Sequence, residues 1–324
     1  MKLGSKIPII VATLGSLLSA CSESIQKFHT LEVEQGNTQN TNSLSVSWFG
    51  ASFVMIDDGK SSVLIDPFVS REENTPLDIL IGANAEVSKE KVQQKASLPE
   101  FQRSRVILVG HSHYDHSIDV AEFARELNIP VFGSKSTSRI VEAHGYENFN
   151  EIDTGTVISS EIIGGGFDIH VLPGAHGAPP FFWDPLEEEV ADDFSLPAPI
   201  SEYGLGEVHS FLIVHRRGTI LHMGSAGIAP GSFDHLANQV DVILLPLIGR
   251  PDTDQYLADI VGKLRPKVVI PIHYDNLFQP SNEEIRVVRQ ADLGGFFSAM
   301  QRLFPEVETG ILVFDQPWKL EGNN

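Results

Sequence analysis

Three histidines and an aspartate fall within the six residues 111–116, which read HSHYDH. Neutral imidazoles and carboxylates are the side chains that bind zinc, manganese and iron. His111 and His113 alternate by two, so on an extended segment their side chains point the same way. Asp115 and His116 follow where the chain turns into a helix, and they can face a second position. The segment therefore predicts part of a metal centre for two metals, with further ligands supplied from elsewhere.

Two more histidines stand where buried strands are predicted to end. His176 follows a strand and a glycine-bearing turn in VLPGAHGAP, and His273 ends the apolar run KVVIPIH. Loops beyond strand ends are where α/β folds gather their chemistry. Several other histidines lie in ordinary helix, strand, turn or linker contexts, which favour a surface or hydrogen-bonded role. These are His29, His144, His170, His209, His215 and His235.

The elements that would position these residues alternate between β-rich runs and helical patterns from Ser43 onward. Strands are predicted in SLSVSWFG, SFVMID, SSVLIDPF and GILVFD, and a hairpin in VHSFLIVHRRGTILHMG. Helices are predicted after Ser117 and over residues 136–144, 252–264 and 282–303. Strands with intervening helices, in two halves, favour a layered α/β domain.

An irregular insertion over residues 177–206 interrupts this pattern and is rich in proline and acidic residues. Long insertions between strands are more often functional than part of a core. Phe181, Phe182 and Trp183 follow His176 within seven residues. They form an apolar wall beside the metals or pin the insertion to the core, and the sequence favours neither interpretation.

Charge limits the class of partner. The chain of 324 residues has 23 basic and 43 acidic residues and a formal net charge of −20. Binding to nucleic acid needs clusters of Lys and Arg that contact phosphates, so no nucleic-acid partner is expected. The acidic insertion would also repel a polyanionic substrate, which leaves a small uncharged molecule or a lipid as the expected substrate.

The first twenty residues have the composition of a targeting signal. Lys2 and Lys6 precede an apolar stretch over residues 8–18, which is short for a bilayer span, and the stretch ends in LSAC. This ending resembles the bacterial lipobox, in which the signal is cut before a cysteine that carries lipid. A plain secretory signal with an incidental cysteine is the alternative, and Cys21 is the only cysteine in the chain.

The predicted organisation is therefore a signal peptide over residues 1–20, a flexible tether over 21–42 and a folded domain over 43–324. The tether is assigned because this segment is mostly polar and has no sustained apolar period. Lipid on Cys21 would anchor the protein in the cell envelope. Ser22, rather than aspartate, after the cysteine favours the outer membrane, facing the periplasm.

The order and approximate spacing of these residues resemble the metallo-β-lactamase fold superfamily of hydrolases. The resemblance extends over about residues 43–314 and rests on Asp66 in VLIDPF, on HSHYDH, on His176 and on His273. The phrases SWFGASFVMIDDGKSSVLIDPF and VVIPIHYD look most like the branch that contains N-acyl-phosphatidylethanolamine phospholipase D and ascorbate-phosphate lactonases.

This resemblance implies a four-layer αββα sandwich with its metals at one edge. Asp66 is implied to orient the ligands by hydrogen bonding without binding metal. The implied ligands of the first metal are His111, His113 and His176, and those of the second are Asp115, His116 and His273.

One position departs from the family pattern. Many members have Gly-Asp where this chain has Gly224 and Ser225, and that aspartate bridges the two metals. A carbapenemase branch also has serine there and keeps an Asp-His-His second site. We therefore expect the second metal to bind more weakly and to be lost first on dialysis. His222 lies nearby and is a candidate ligand or donor to substrate, with an ordinary strand histidine as the alternative.

The predicted function is a metal-dependent hydrolase. Bound zinc, or manganese or iron in its place, lowers the pKa of its water towards about 7 and supplies hydroxide near neutrality. Asp115 would orient that hydroxide, and Tyr274 is a candidate donor to the developing oxyanion, with a packed aromatic as the alternative. The expected substrate is an ester, lactone, amide or phosphodiester, and a membrane tether favours a lipidic one.

Two other functions are compatible with the same residues. A non-catalytic envelope lipoprotein could keep the fold as a binding module, and the change to Ser225 is its main support. Redox chemistry at iron is the third interpretation, because histidine and carboxylate ligands also suit iron.

Overall fold

In a computed structural model, the chain is described over residues 22–33, 43–73, 82–178, 188–279 and 284–320. Within these residues the strands form two seven-stranded sheets and a two-stranded ribbon. The strands are β1 (Ser22–Ser24), β2 (Leu44–Trp48), β3 (Val54–Asp57), β4 (Ser62–Ile65), β5 (Ser104–Leu108), β6 (Val131–Gly133), β7 (Phe149–Glu151), β8 (Val157–Ile158), β9 (Asp168–Pro173), β10 (His209–His215), β11 (Gly218–His222), β12 (Val242–Pro246), β13 (Val268–Ile272), β14 (Arg286–Val288), β15 (Glu308–Thr309) and β16 (Trp318–Leu320). The α-helices are α1 (Lys89–Ala96), α2 (Tyr114–Ser117), α3 (Val120–Leu127), α4 (Lys135–Ala143), α5 (Ser160–Ile163), α6 (Thr253–Leu257) and α7 (Leu293–Leu303).

The two large sheets face each other. The first has the order β16-β2-β3-β4-β5-β6-β7, and the second has the order β15-β13-β12-β11-β10-β9-β8. Helices α1 and α3 pack against the first sheet, and α6 and α7 pack against the second. The expected four-layer αββα sandwich is therefore confirmed.

Strand β5 shows why the central strands are apolar throughout. Its Val106 and Leu108 belong to the core between the sheets, whereas Ile107 and the following Val109 pack with the outer helices. A strand that is covered on both faces reads as a continuous apolar run rather than an alternating one. β5 is parallel to β4 and β6, and β12 is parallel to β13, so their carboxyl ends lie together at one edge.

The prediction of a flexible tether over residues 21–42 is wrong for its first part. β1 pairs with β14, a 3₁₀ helix covers Ile25–Leu31, and Glu32 forms a bridge with Ile311. Ile25 and Phe28 pack against the core, and Val33 belongs to it. These few apolar residues hold an otherwise polar segment on the domain. Cys21 and residues 34–42 lie outside the described part of the chain.

The helix predicted over residues 282–303 is also wrong in its first half. The described residues there include strand β14, a 3₁₀ turn at Arg289–Ala291, and α7, which begins only at Leu293. Asp292 caps α7, since its side chain accepts a hydrogen bond from the Gly295 N–H at 3.1 Å. GILVFD is not the final strand either, since that strand is β16.

The helix predicted from Ser117 is divided into α2 and α3. Ser117 lies inside α2, where its hydroxyl donates to the carbonyls of Ser112 and His113 at 2.9 and 3.0 Å instead of capping a helix. No helix in the described part of the chain combines the length and the apolar character needed to cross a membrane.

Candidate metal centre

Six side chains that could bind metal meet at the edge where the parallel strands end. They come from one short helix and from the loops that follow three strands. They are His111 and His113 after β5, Asp115 and His116 in α2, His176 after β9, and His273 after β13.

These side chains form two groups of three. One group is His111, His113 and His176, and the other is Asp115, His116 and His273. Within each group the possible ligand atoms lie within 4.8 Å of one another. The structure therefore brings together both sets that the family resemblance implied.

The first group is arranged as ligands of a single metal. His111 Nε2 and His113 Nδ1 lie 3.1 Å apart, and two nitrogens bound at about 2.05 Å to one tetrahedral zinc lie about 3.3 Å apart. His111 Nδ1 donates to the Gly224 carbonyl at 3.1 Å, which leaves Nε2 free to bind metal. His176 Nδ1 is buried and has no hydrogen-bond partner among the described residues. The three imidazoles fit a zinc ion.

The second group is oriented by Asp66, which is fully buried. Asp66 Oδ2 accepts a hydrogen bond from His116 Nδ1 at 2.7 Å, and its Oδ1 accepts one from the Gly110 N–H at 2.6 Å. Nε2 of His116 is thereby turned towards Asp115, whose Oδ2 lies 3.5 Å away. The orienting role that the resemblance implied for Asp66 agrees with this geometry.

His273 completes the second group from the opposite sheet. Its Nε2 lies 3.1 Å from Asp115 Oδ2, and its Nδ1 is buried without a partner among the described residues. His273 has a φ of +50°, as does Asp66. This left-handed region is uncommon for residues other than glycine, and such strain collects at functional sites.

The protonation states of His111, His176 and Asp115 suit metal binding. Burial, together with the neighbouring His116 and His113, holds the pKa of His111 well below its ordinary value. Burial lowers the pKa of His176 to about 3, helped by the nearby imidazoles. Burial alone would raise the pKa of Asp115, but His116 and His273 lower it well below its ordinary value. Both histidines are therefore neutral and Asp115 is ionised at neutral pH, which are the forms that bind divalent metals.

Ser225 belongs to neither group of ligands. Its Oγ accepts a hydrogen bond from the Gly177 N–H at 3.2 Å. Gly177 directly follows the candidate ligand His176, so the hydroxyl helps to place the loop that carries this histidine. The position at which the family resemblance implies a bridging aspartate therefore supports the first metal group in this chain.

His222 is a member of neither group of three. Its side chain is fully buried at the end of β11, and its Nε2 donates to the Ser52 carbonyl at 3.2 Å. This hydrogen bond agrees with an ordinary strand histidine, while its Nδ1 is buried without a partner among the described residues, so the expected role as ligand or donor to substrate stays a prediction.

Tyr274 is also buried and does not line the site. Its ring lies 4.8 Å from that of Trp48, and its hydroxyl has no hydrogen-bond partner among the described residues. Tyr274 belongs to the core cluster formed mainly by the second sheet and its helices. The packed-aromatic alternative agrees with this position, and the expected donation to the oxyanion does not.

The insertion that follows His176 returns to the other metal-binding loop. The Ser112 hydroxyl donates to the Gly204 carbonyl at 2.6 Å, and the Ser112 N–H donates to the Leu205 carbonyl at 3.1 Å. Ser112 lies between His111 and His113, so the end of the insertion positions both. Sequence reasoning missed this role because the partner is more than 90 residues away. Phe181, Phe182 and Trp183 lie outside the described residues.

A buried ion pair holds the His273 loop and was also missed. Arg71 Nη2 donates to Asp275 Oδ2 and to the Asn276 carbonyl, both at 2.5 Å. Asp275 Oδ1 accepts a third hydrogen bond from the Ala51 N–H at 2.9 Å. No motif signals this pair, because its two partners are separated by 204 residues.

Close backbone contacts complete the frame of the site. A Cβ on Gly224 would lie 2.0 Å from the His209 carbonyl oxygen, and a Cβ on Gly110 would lie 3.0 Å from the Gly224 Cα. Position 224 therefore requires glycine, and a side chain at Gly110 would push apart the backbone of Gly224 and the Asp66 carboxylate. The glycines of VGHSH and HMGS are the sequence signal for this packing.

The model of a family described as Beta-lactamase superfamily domain matches residues 61–274, a range that contains all six candidate ligands. A protein of Archaeoglobus fulgidus named UPF0173 metal-dependent hydrolase is 25% identical over 261 residues, covering 75% of this chain and 89% of that protein. Its namesake from Methanobrevibacter smithii is 26% identical over 247 residues, covering 74% and 85%. The solved structure of Igni18, a metallo hydrolase from Ignicoccus hospitalis, has a TM-score of 0.58 at 19% identity and covers 87% of this chain and all of that one. That likeness shows the shared fold.

Proposed function

Because the chain belongs to the metallo-β-lactamase superfamily and is a metal-dependent hydrolase, we propose that it cleaves an uncharged or lipid-like ester, lactone, amide or phosphodiester. The observation that carries this proposal is the pair of three-residue groups at one edge of the sandwich. When bound there, zinc lowers the pKa of a water molecule and polarises the substrate oxygen on which charge accumulates. Manganese and iron accept the same donors.

The residues of the chain have distinct tasks in this reaction. Asp115 contributes the one carboxylate of the two groups, and its partly buried, ionised oxygens can accept a hydrogen bond from the attacking water and so orient it. Asp66 fixes the imidazole of His116, and the Gly224 carbonyl fixes that of His111. Such hydrogen bonds hold the ligands in place without reorganisation during the reaction.

Surface charge supports an uncharged substrate. Glu188, Glu189, Asp192 and Asp193 are exposed on the insertion that begins beside His176. Arg139 pairs with Glu189 and Asp192, and the other two carboxylates have no ion-pair partner among the described residues. In a chain with a net charge of −20, these groups would repel a polyanion.

The N-terminal sequence supports a place at the membrane. We propose that residues 1–20 are removed, that Cys21 is acylated, and that the protein is anchored in the outer membrane facing the periplasm. The basic start, the apolar stretch and LSAC support this proposal. A change of Cys21→Ser should abolish incorporation of labelled palmitate and release the protein from the membrane fraction. Unchanged labelling would contradict the anchor.

A catalytic role is favoured over a binding module. All six candidate ligands are present, and the named relatives are called metal-dependent hydrolases. The replacement of the bridging aspartate by Ser225 is the one observation on the other side, and Ser225 has another task beside Gly177.

Metal analysis with a substrate panel tests the proposal. Purified protein should bind about two equivalents of zinc and hydrolyse at least one of a lactone, a carboxylic ester, a β-lactam, a phosphodiester or an N-acyl phospholipid. His113→Ala should lose the first metal and at least 100-fold in activity. His235→Ala is the matched control, because His235 is exposed and lies in neither group. Equal metal content and activity in His113→Ala and the parent would refute the assignment.

A further inference from the structure

The residue after the predicted lipid-bearing cysteine is already part of the folded domain. Ser22, Glu23 and Ser24 pair with Val288, Val287 and Arg286 in the β1–β14 ribbon. The Ile25 N–H then donates to the Ile285 carbonyl at 3.1 Å, and the 3₁₀ helix follows. An acylated Cys21 would therefore be joined to the domain without any intervening linker.

The ribbon continues towards the second metal group. The Val288 N–H donates to the Tyr274 carbonyl at 2.9 Å, and Val287 bridges Asp275. Neighbouring strands lie about 4.8 Å apart, so Ser22 is about 10 Å from Tyr274 and about 15 Å from the adjacent ligand His273. The anchor point and the metal centre are therefore close together.

The surface around the anchor carries charges of both signs. We call residues 22–31 together with residues 286–291 the anchor edge. It carries Lys27, Arg286 and Arg289 together with Glu23, and Glu284 lies against it, where it accepts a hydrogen bond from the Ser24 hydroxyl. Lys27 pairs with Glu23 at 3.3 Å. The exposed arginines are attracted to anionic phospholipid headgroups and the carboxylates are repelled, so the direct attachment of Ser22 to Cys21 carries the orientation.

We propose that the anchor edge rests on the bilayer and holds the domain in one orientation, with the second metal group within about 20 Å of the lipid surface. This inference rests on the proposed hydrolase and its lipid anchor. It narrows the substrate to a molecule that resides in the membrane, because a bilayer-bound substrate then reaches the site without leaving the lipid.

Site-directed spin labelling of the full, acylated chain tests the orientation. Cys21 is the only cysteine and its thiol is consumed by lipid, so one introduced cysteine is a unique labelling site. Gln26→Cys places a nitroxide on the anchor edge. Ile162→Cys is the matched control, because Ile162 is 66% exposed and follows β8, at the opposite end of its sheet from β15. The protein is reconstituted in vesicles of phosphatidylethanolamine and phosphatidylglycerol.

The measured quantity is the ratio of nitroxide collisions with oxygen to those with a water-soluble nickel chelate. We expect a ratio at least threefold higher at position 26 than at position 162. Equal ratios would overturn the orientation. If the difference in collision ratio between positions 26 and 162 is present but the protein hydrolyses no substrate, the proposed function alone is refuted. If the parent protein is found only in the soluble fraction, both the lipid anchor and this inference are overturned.

A linker variant tests whether the short connection matters. Twenty Gly and Ser residues inserted between Cys21 and Ser22 give a root-mean-square reach of about 25 Å. Lipid contact at position 26 should fall by at least half, and hydrolysis of palmitoyl-umbelliferone ester in vesicles should fall several-fold, while butyryl-umbelliferone ester in solution is cleaved at the parent rate. Unchanged contact at position 26 would contradict the proposal.

Discussion

Replacement of Asp66 by asparagine should remove the second metal without disturbing the first. The amide oxygen can keep the hydrogen bond from the Gly110 N–H, and this bond fixes the orientation of the amide. The amide NH₂ then faces His116 Nδ1, which now donates to the carboxylate at 2.7 Å. Two donors cannot share that bond, so Nδ1 must accept and the proton must move to Nε2. A protonated Nε2 cannot bind metal.

The expected loss follows from the role of such partners. Removing the hydrogen-bond partner of a metal-binding histidine costs about 10- to 100-fold in metal affinity, or about 1.4–2.8 kcal/mol. The folded state should lose little, because the asparagine preserves both hydrogen bonds and the side-chain volume. Asp66→Ala should differ, since the buried Gly110 N–H would lose its acceptor at a cost of about 1–3 kcal/mol.

The assay combines calorimetric zinc titration, urea unfolding and two-bond ¹⁵N–¹H spectra of the imidazoles. Asp66→Asn should keep the first metal within threefold, lose the second, and show His116 in the other tautomer. Asp119→Asn is the matched control, because Asp119 is equally buried but accepts its hydrogen bonds from Val69 and Ser70. Tight binding of two metals by Asp66→Asn would refute the reasoning.

Three further predictions follow from buried groups of the same region. Ser225→Asp should retain the second metal at least tenfold longer than the parent during dialysis, measured by metal analysis, whereas equal loss would contradict a missing bridge. Tyr274→Phe should change kcat/KM less than twofold, because the hydroxyl is buried without a partner among the described residues; a tenfold loss would restore its expected catalytic role. Burial raises the pKa of Asp119 from 3.8 to about 6, so the folded state binds the extra proton between these values. Its contribution to the free energy of unfolding, about 3 kcal/mol, is present below pH 4 and lost as the pH rises through 6. Urea unfolding at several pH values should show that the free energy of unfolding falls more steeply between pH 4 and 6 in the parent than in Asp119→Asn. Parallel dependence on pH in the two proteins would contradict this prediction.

The ligands could be found from the sequence because each histidine follows an apolar run that had to be a buried strand. Periodicity placed β5, β9 and β13, and the ends of those strands placed His111, His176 and His273. Their division into two groups came from family resemblance, since spacing alone does not say which loops meet across two sheets.

Contacts between distant segments could not be predicted from the sequence. Arg71 and Asp275 look like ordinary charges in loops, and nothing nearby indicates that they pair in the core. β1 was missed for the same reason, because SES acquires its strand conformation only from pairing with β14, more than 260 residues away. The segment is polar in composition, and its strand conformation depends on pairing with β14.

Different interactions position the two groups of ligands: neutral hydrogen bonds position the first group, and buried charges position the second. This difference affects which metal is bound more tightly. His111 is held by the Gly224 carbonyl, and the loop of His176 is held through the Ser225 hydroxyl, so the first group depends on neutral contacts around close-packed backbone. The second group depends on the carboxylate of Asp66 and on the Arg71–Asp275 pair, and both Asp66 and His273 have a φ of +50°. Strained backbone persists only where its surroundings over-determine it, so disturbing a buried charge should relax the second group before the first. The missing bridge at Ser225 and the dependence on buried charges therefore affect the same three ligands. We expect the second group to be the part of the site that is most sensitive to changes in the surrounding residues.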